Sequence, residues 1–181
     1  VLIMGAGGGV GIHMVQMARL CGGRVIAAEV GEEKMELART MGADEVIDAR
    51  RGEIVKQVKA VTGGRGVDAA IDIVASRETL QACLGSLAPG GRMVIIGNRS
   101  AAVFGADPSF TVDPHEFMQK ALEIHGSRYV NNAEIARTLE IVKDKRIKAV
   151  VGRTFPLEEA EQVHELLRKN AIAGRAALIV G

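Results

Sequence analysis

Cysteine is scarce in this sequence. Cys21 and Cys83 are the only two in 181 residues, far apart and in no C-x-x-C pair. That spacing excludes a metal knuckle or a disulfide framework. It fits a reducing cytoplasm, with both thiols read as small buried hydrophobes. Charge of one sign is lacking too. The net charge is +1 and the charges are spread along the chain, so there is no basic footprint of a nucleic-acid binder. Long apolar runs are missing. Residues 1–15 are apolar but rich in glycine, interrupted by His13 and without a cationic leader. They are too short to cross a bilayer and do not read as a signal peptide. There is no internal repeat and no low-complexity stretch. His13, His115, His125 and His164 are scattered, with no Cys/His cluster at ligand spacing. No Ser/His/Asp set or carboxylate pair emerges either. Asp68 and Asp72 bracket a strand and read as structural.

What is present is enough apolar residue for one domain with a full core. Hydrophobic residues make up 48% of the chain, which argues against disorder. Short β-rich runs at residues 1–4, 24–29, 45–47, 69–74, 92–96 and 123–127 alternate with helical stretches at 10–21, 32–41, 54–61, 78–87 and 114–122. Most of the strands are apolar along their length, as strands covered on both faces are. In the first helix Val10, Met14, Met17, Ala18 and Cys21 recur at helical spacing. The second opens on Glu32 and Glu33, acids that favour a helix N-terminus. This alternation predicts a doubly wound α/β parallel sheet. Beyond residue 130 the pattern changes to helices at 133–145 and 157–169 and a strand at 176–180, with Pro156 at the start of the second helix and a turn at 170–174. The longest loop, 100–114, carries Phe104 and Phe110; a functional loop and a simple connection both remain open. Because residues 1–4 already read as a buried strand, the sequence is expected to start at a domain boundary.

The first strand runs into Gly5-Ala6-Gly7-Gly8-Gly9-Val10-Gly11, and a helix follows at once. In that context Ala6–Gly11 fits A-x-G-x-x-G, a dinucleotide-binding turn. Gly8 and Gly9 allow a backbone to approach a pyrophosphate, and Gly11 leaves no side chain between helix and sheet. The N–H groups from about Gly9 to Ile12 are expected to face the phosphates, helped by the helix dipole. Ala6 stands where the usual pattern has glycine and requires an ordinary negative φ. The second strand ends at Glu29, eighteen positions after Gly11. An acid there accepts from the adenosine ribose hydroxyls and repels a 2′-phosphate. No Arg or Lys follows immediately, since Val30 and Gly31 come next. The reading is NAD over NADP; a solvated glutamate is the alternative. Lys34 either reaches the same ribose or is an exposed helix lysine.

These residues resemble the cofactor-binding segment of the medium-chain dehydrogenases/reductases, the zinc alcohol dehydrogenase and quinone reductase superfamily. The similarity begins in VLIMGAGGGVGIHMVQMARLCGGRVIA. It continues through ELARTMGADEVID, GVDAAIDIV, LAPGGRMVIIG, EIHGSRYVNN and FPLEEAEQVHELLRKNAIAGRAALIV. It covers essentially the whole chain and is weakest across 100–114. The resemblance implies a Rossmann fold in three α/β/α layers. Residues 1–130 would form the NAD-binding domain, and 131–181 would return toward a catalytic domain absent from this chain. It implies that Ile73 and Val74 flank the adenosine. Ile96, Gly97 and Asn98 would line the nicotinamide pocket, Val10 would pack beneath the nicotinamide, and Arg175 would reach the pyrophosphate with its planar fork. Plain core packing for Ile73, Val74 and Ile96, and a surface arginine at 175, are the alternatives.

The implied activity is hydride transfer between NAD(H) and an alcohol or carbonyl substrate, as in a zinc-dependent alcohol dehydrogenase. A zinc-free enoyl or quinone reductase is the second reading. A stand-alone dinucleotide-binding sensor is the reading from another class. No catalytic residue and no metal ligand is assigned to this chain, and zinc is expected only in the missing catalytic domain. The fragment alone is therefore expected to turn over no alcohol. Further expectations are a cytoplasmic location, no nucleic-acid or membrane partner, and a homodimer formed through the strand near 123–127.

Overall fold

The computed structural model describes residues 1–98 and 107–181. Six strands form one sheet: β1 (Leu2–Met4), β2 (Ile26–Glu29), β3 (Glu45–Asp48), β4 (Val67–Asp72), β5 (Leu87–Ile95) and β6 (Glu123–Gly126). Every pairing is parallel, and the order is β3-β2-β1-β4-β5-β6. The chain reverses its direction of travel across the sheet between β1 and β4. In open α/β sheets the crevice beyond the carboxyl ends of the strands at such a switch point holds the ligand.

The near-continuous apolar character of the strands follows from burial on both faces. In β1 successive side chains point to opposite sides. Leu2 and Met4 join one core, with Ile26, Ala28, Val58, Leu80 and Met93. Ile3 joins the other, with Ala27, Ile12, Val15 and Ala38. The helices α1 (Gly11–Leu20) and α2 (Glu32–Thr40) therefore cover one face, while α3 (Ile54–Val61) and α4 (Arg77–Gly85) cover the other. The result is the three-layer arrangement that the sequence implies. A short α5 (Pro114–Gln119) leads into β6, with Pro114 at its start and Asp113 accepting from His115 N–H at 2.9 Å. No helix among the described residues is long and apolar enough to cross a membrane.

The tail adds α6 (Asn132–Lys143), β7 (Val151–Pro156), α7 (Ala160–Arg168) and β8 (Arg175–Ile179). β7 and β8 pair in parallel as a separate two-stranded sheet. Phe155, Val163 and Ile172 form a small core of their own.

Four expectations need correction. β7 has no counterpart in the sequence pattern, because Gly152, Arg153 and Thr154 give it no apolar alternation and only Phe155 is buried. Pro156 ends that strand in extended geometry (φ −60°, ψ 155°) instead of opening a helix; a 3₁₀ turn over Leu157–Glu159 comes next, and α7 starts at Ala160. The helix expected at 78–87 stops at Gly85, and Leu87 pairs with Val67 as the first residue of β5. Ser86 caps that helix and is wholly buried, its hydroxyl donating to Ala82 O at 2.7 Å. Cys83 is buried as expected, but Cys21 lies exposed at the end of α1, just before Gly22 turns the chain at φ +81°. Of the 100–114 loop, residues 100–106 with Phe104 lie outside the described residues; 107–113 form irregular chain, and Phe110 packs against the core.

Candidate functional site

The glycine turn is shaped by close approaches. Gly5 leaves β1 at φ +75°, a conformation that suits glycine. Ala6 is not among the positive-φ residues, as its substitution for glycine requires. A Cβ at Gly11 would lie 2.1 Å from Gly5 O and 2.7 Å from Ala6 Cα, so α1 packs on the turn only with glycine there. A Cβ at Gly7 would meet Lys34 Cβ at 2.5 Å and Lys34 O at 2.6 Å, which lets α2 close against the turn. Gly8 has room, its nearest neighbour being Gly5 O at 3.6 Å.

α1 starts without a side-chain cap and without an acid in its first turn. Ile12 N–H closes the first helical turn on Gly8 O at 3.0 Å, so it is not one of the donors left over for an anion. That narrows the set expected from the sequence. The N–H groups of Val10 and Gly11 have no hydrogen-bond partner among the described residues. An uncapped helix start with spare donors is a ready place for a phosphate.

Glu29 sits at the tip of β2 with 5% exposure. Its Oε2 accepts from Gly7 N–H at 2.7 Å and its Oε1 from Val30 N–H at 2.7 Å. Each carboxylate oxygen keeps a further lone pair for an incoming hydroxyl. This is a fixed, buried carboxylate rather than a solvated one. Lys34 is also buried, at 6% exposure, which removes the exposed-lysine alternative. Its ammonium donates to Asn170 Oδ1, from the opposite end of the chain. Burial pulls the Lys34 pKa below the usual lysine value, against the nearby Glu29 carboxylate, which works to raise it.

Gly8, Glu29, Lys34, Ile73 and Val74 line one cleft of about 540 Å³, together with Leu167, Arg168 and Asn170 from the tail. The last three escaped the sequence reading. Asn170 carries the one available signal, a residue type tolerant of the left-handed conformation that it adopts at φ +55°. Ile73 and Val74 follow β4, where Asp72 fixes their loop. The fully buried Asp72 accepts at Oδ1 from Val74 N–H (2.8 Å) and Ala75 N–H (2.6 Å). Its carbonyl accepts from Ile96 N–H (2.9 Å) and Gly97 N–H (3.1 Å), joining the ends of β4 and β5. A Cβ on Gly97 would meet Ile73 C and O at 2.7 Å. Burial, reinforced by the Asp72 carboxylate, pushes the Cys83 thiol far up.

Arg175 opens β8 beside the turn. Its Cγ would lie 3.0 Å from a Cβ on Gly9, and Gly9 and Arg175 share the wall of a second cleft. Gly174 N–H donates to Gly7 O at 2.8 Å and bridges Gly8, which brings the arginine there. Val10 is 41% exposed on the rim, and Asn98 is exposed at the end of the described stretch. Ile96, Gly97 and Asn98 thus continue from the Ile73 side, without lining the large cleft. Among the described residues no group of three or more His, Cys, Asp or Glu is placed to hold a metal ion.

The spare donors, the buried carboxylate, the apolar pair and the arginine fit the phosphates, ribose and adenine of a dinucleotide. The NAD-dependent alcohol dehydrogenase of Saccharolobus solfataricus is 32% identical over 184 residues, spanning 98% of this chain and 50% of that protein. The crystal structure of an alcohol dehydrogenase from Aeropyrum pernix superposes with a TM-score of 0.87 at 32% identity, over 99% of this chain and 50% of that one. Escherichia coli quinone oxidoreductase, solved in complex with NADPH, superposes with a TM-score of 0.82 at 28% identity, over 99% of this chain and 56% of that one. The chain thus spans about half the length of the relatives it matches. Residues 9–144 match the profile of the family described as zinc-binding dehydrogenase, and the chain belongs to that family.

Proposed function

We propose that this chain is the cofactor-binding half of an oxidoreductase that moves a hydride between NAD(H) and an alcohol or carbonyl substrate. The observation that carries the reading is the convergence, at the switch point between β1 and β4, of uncapped α1 donors with buried Glu29. The nicotinamide supplies the hydride chemistry; this chain's residues bind and orient it. Val10 and Gly11 N–H groups and Arg175 take the pyrophosphate. Glu29 and Lys34 take the adenosine ribose, Ile73 and Val74 flank the adenine side, and Ile96, Gly97 and Asn98 border the nicotinamide. Gly8 and Gly9 keep the approach open. Residues 1–130 form the binding domain, and 131–181 lead toward a catalytic part that this chain does not span; zinc, where used, is held there. A cytoplasmic location and a homodimer formed through β6 belong to the same reading.

The reading predicts preference for NAD over NADP. Charge-assisted bonds from ribose hydroxyls to a carboxylate contribute about 1.5–3 kcal/mol. A 2′-phosphate loses them and brings a second negative charge beside Glu29. A difference of about 3 kcal/mol is roughly 100-fold in affinity. Calorimetric titration with both cofactors checks this, and Glu29→Ala should weaken NAD and narrow the gap. Equal affinities, or a ratio untouched by Glu29→Ala, would contradict the assignment. The NADPH complex of the Escherichia coli relative favours a second reading, a quinone or enoyl reductase. Tighter NADP binding together with reduction of quinones or enones by the full-length protein would select it. A stand-alone sensor module is the third reading, and turnover of any of these substrates removes it.

A further inference from the structure

The outer face of α1 does something that the dinucleotide reading leaves unexplained. Lys148 N–H donates to Gln16 Oε1 at 2.7 Å, and Gln16 Nε2 donates back to Lys148 O at 3.0 Å. Two residues on, Val150 N–H donates to His13 Nε2 at 3.2 Å. His13 Nδ1 lies 2.8 Å from Gly9 O, so the neutral ring carries its proton on Nδ1 and accepts at Nε2. His13 and Gln16 are three apart on a helix and share a face. Residues 148 and 150 are two apart, and the N–H groups of both point to α1. α1 therefore holds the backbone of 148–150 by three hydrogen bonds, much as a neighbouring strand would.

This grip lies immediately before β7, whose Val151 pairs with Arg175. Val150 also packs on the residue before that arginine: a Cβ at Gly174 would lie 3.1 Å from Val150 Cγ1 and 3.4 Å from Val150 O. Gly174 in turn donates to Gly7 O at 2.8 Å. A short path thus runs from His13 and Gln16 through Val150 and Gly174 to the Arg175 guanidinium beside Gly9. Both ends of the path rest on α1 and its glycine turn.

We propose that His13 and Gln16 are positioning residues for the cofactor, which clamp residues 148–150 and thereby seat Arg175 at the pyrophosphate turn. The proposal rests on the reading of that turn as a dinucleotide site. The test is a double-mutant cycle in the full-length protein with ADP-ribose as the probe. Gln16→Met is near in size and removes both bonds to Lys148. It should weaken ADP-ribose by about five- to tenfold, the scale of one or two lost hydrogen bonds. Arg175→Ala should weaken it by at least as much, and Gln16→Met should then add almost nothing. Gln16→Glu keeps an acceptor for Lys148 N–H but sets a carboxylate oxygen against Lys148 O, so it too should weaken ADP-ribose while Arg175 is present. It also serves where Gln16→Met does not fold. Hydrogen exchange should quicken at the Lys148 amide and, as the clamp loosens, at the Val150 amide in Gln16→Met, which removes the Lys148 acceptor. Equal losses from the Gln16 variants with and without Arg175 would overturn the proposal. Unchanged ADP-ribose affinity in a folded variant with faster exchange at 148 and 150 would also overturn it. Failure of the wild-type protein to bind ADP-ribose would instead remove the dinucleotide reading itself.

Discussion

Gly8 and Gly11 stand three residues apart in one turn, yet an added methyl group would act on them in different ways. At Gly11 it would sit 2.1 Å from Gly5 O, against backbone that has no room to shift. At Gly8 the nearest atom is 3.6 Å away and the methyl would project toward the cleft. Gly11→Ala should therefore destabilise the fold by about 1–3 kcal/mol, the usual scale of overpacking. Gly8→Ala should leave stability nearly unchanged and weaken ADP-ribose binding. Chemical denaturation and calorimetry on both variants separate the two effects; loss of stability at Gly8, or none at Gly11, contradicts the division. The turn and Glu29 were legible in the sequence because strand, turn, helix and acid are close along the chain. The state of Lys34 was not, because the group that fixes it, Asn170, comes from 136 positions away.

At the scale of elements, the parallel strands and their helices were legible wherever the apolar pattern was strong. β1 and β2 are buried along their length, and α3 falls within the residues expected of it. Legibility failed where a strand is polar and exposed, as in β7, and where a helix passes straight into a strand, as from α4 to β5. α4 is marked instead at its start. Ser76 accepts from Thr79 N–H at 3.2 Å, and Thr79 Oγ1 accepts from Ser76 N–H at 3.1 Å. This reciprocal cap satisfies two donors at the helix start. α1 has no such cap, and its Val10 and Gly11 N–H groups have no partner among the described residues. Ser76→Ala should therefore cost about 1 kcal/mol of stability and leave the NAD to NADP ratio unchanged. Thermal unfolding and cofactor titration read the two quantities; a shifted ratio would tie α4 to selectivity in a way its position does not support.

At the scale of the molecule, the sheet ends on β3 and β6. β6 is largely exposed, and its outer backbone edge is a template for another strand. Pairing with a second copy about a two-fold axis would extend the sheet across both molecules. Light scattering over a range of concentrations should show a dimer. Replacing Ile124 by proline, which removes a backbone donor and disfavours sheet pairing, should shift the population toward monomer. A wild-type monomer at every concentration would remove the dimer.

The bond from Gly174 to Gly7 joins two points 167 positions apart. Contacts of such separation form late, after the loop between them has closed. During synthesis the amino-terminal strands emerge first and can begin to pair while the tail is still being made. Arg175 and Asn170 come late in this stretch, so the sheet can assemble before the two clefts beside the glycine turn have all their walls. A nascent chain interrupted before residue 170 would carry the glycine turn and still lack one side of the crevice. On the dinucleotide reading, nucleotide capture would wait for synthesis of residues 170–175, and bound nucleotide would favour molecules whose β8 has docked.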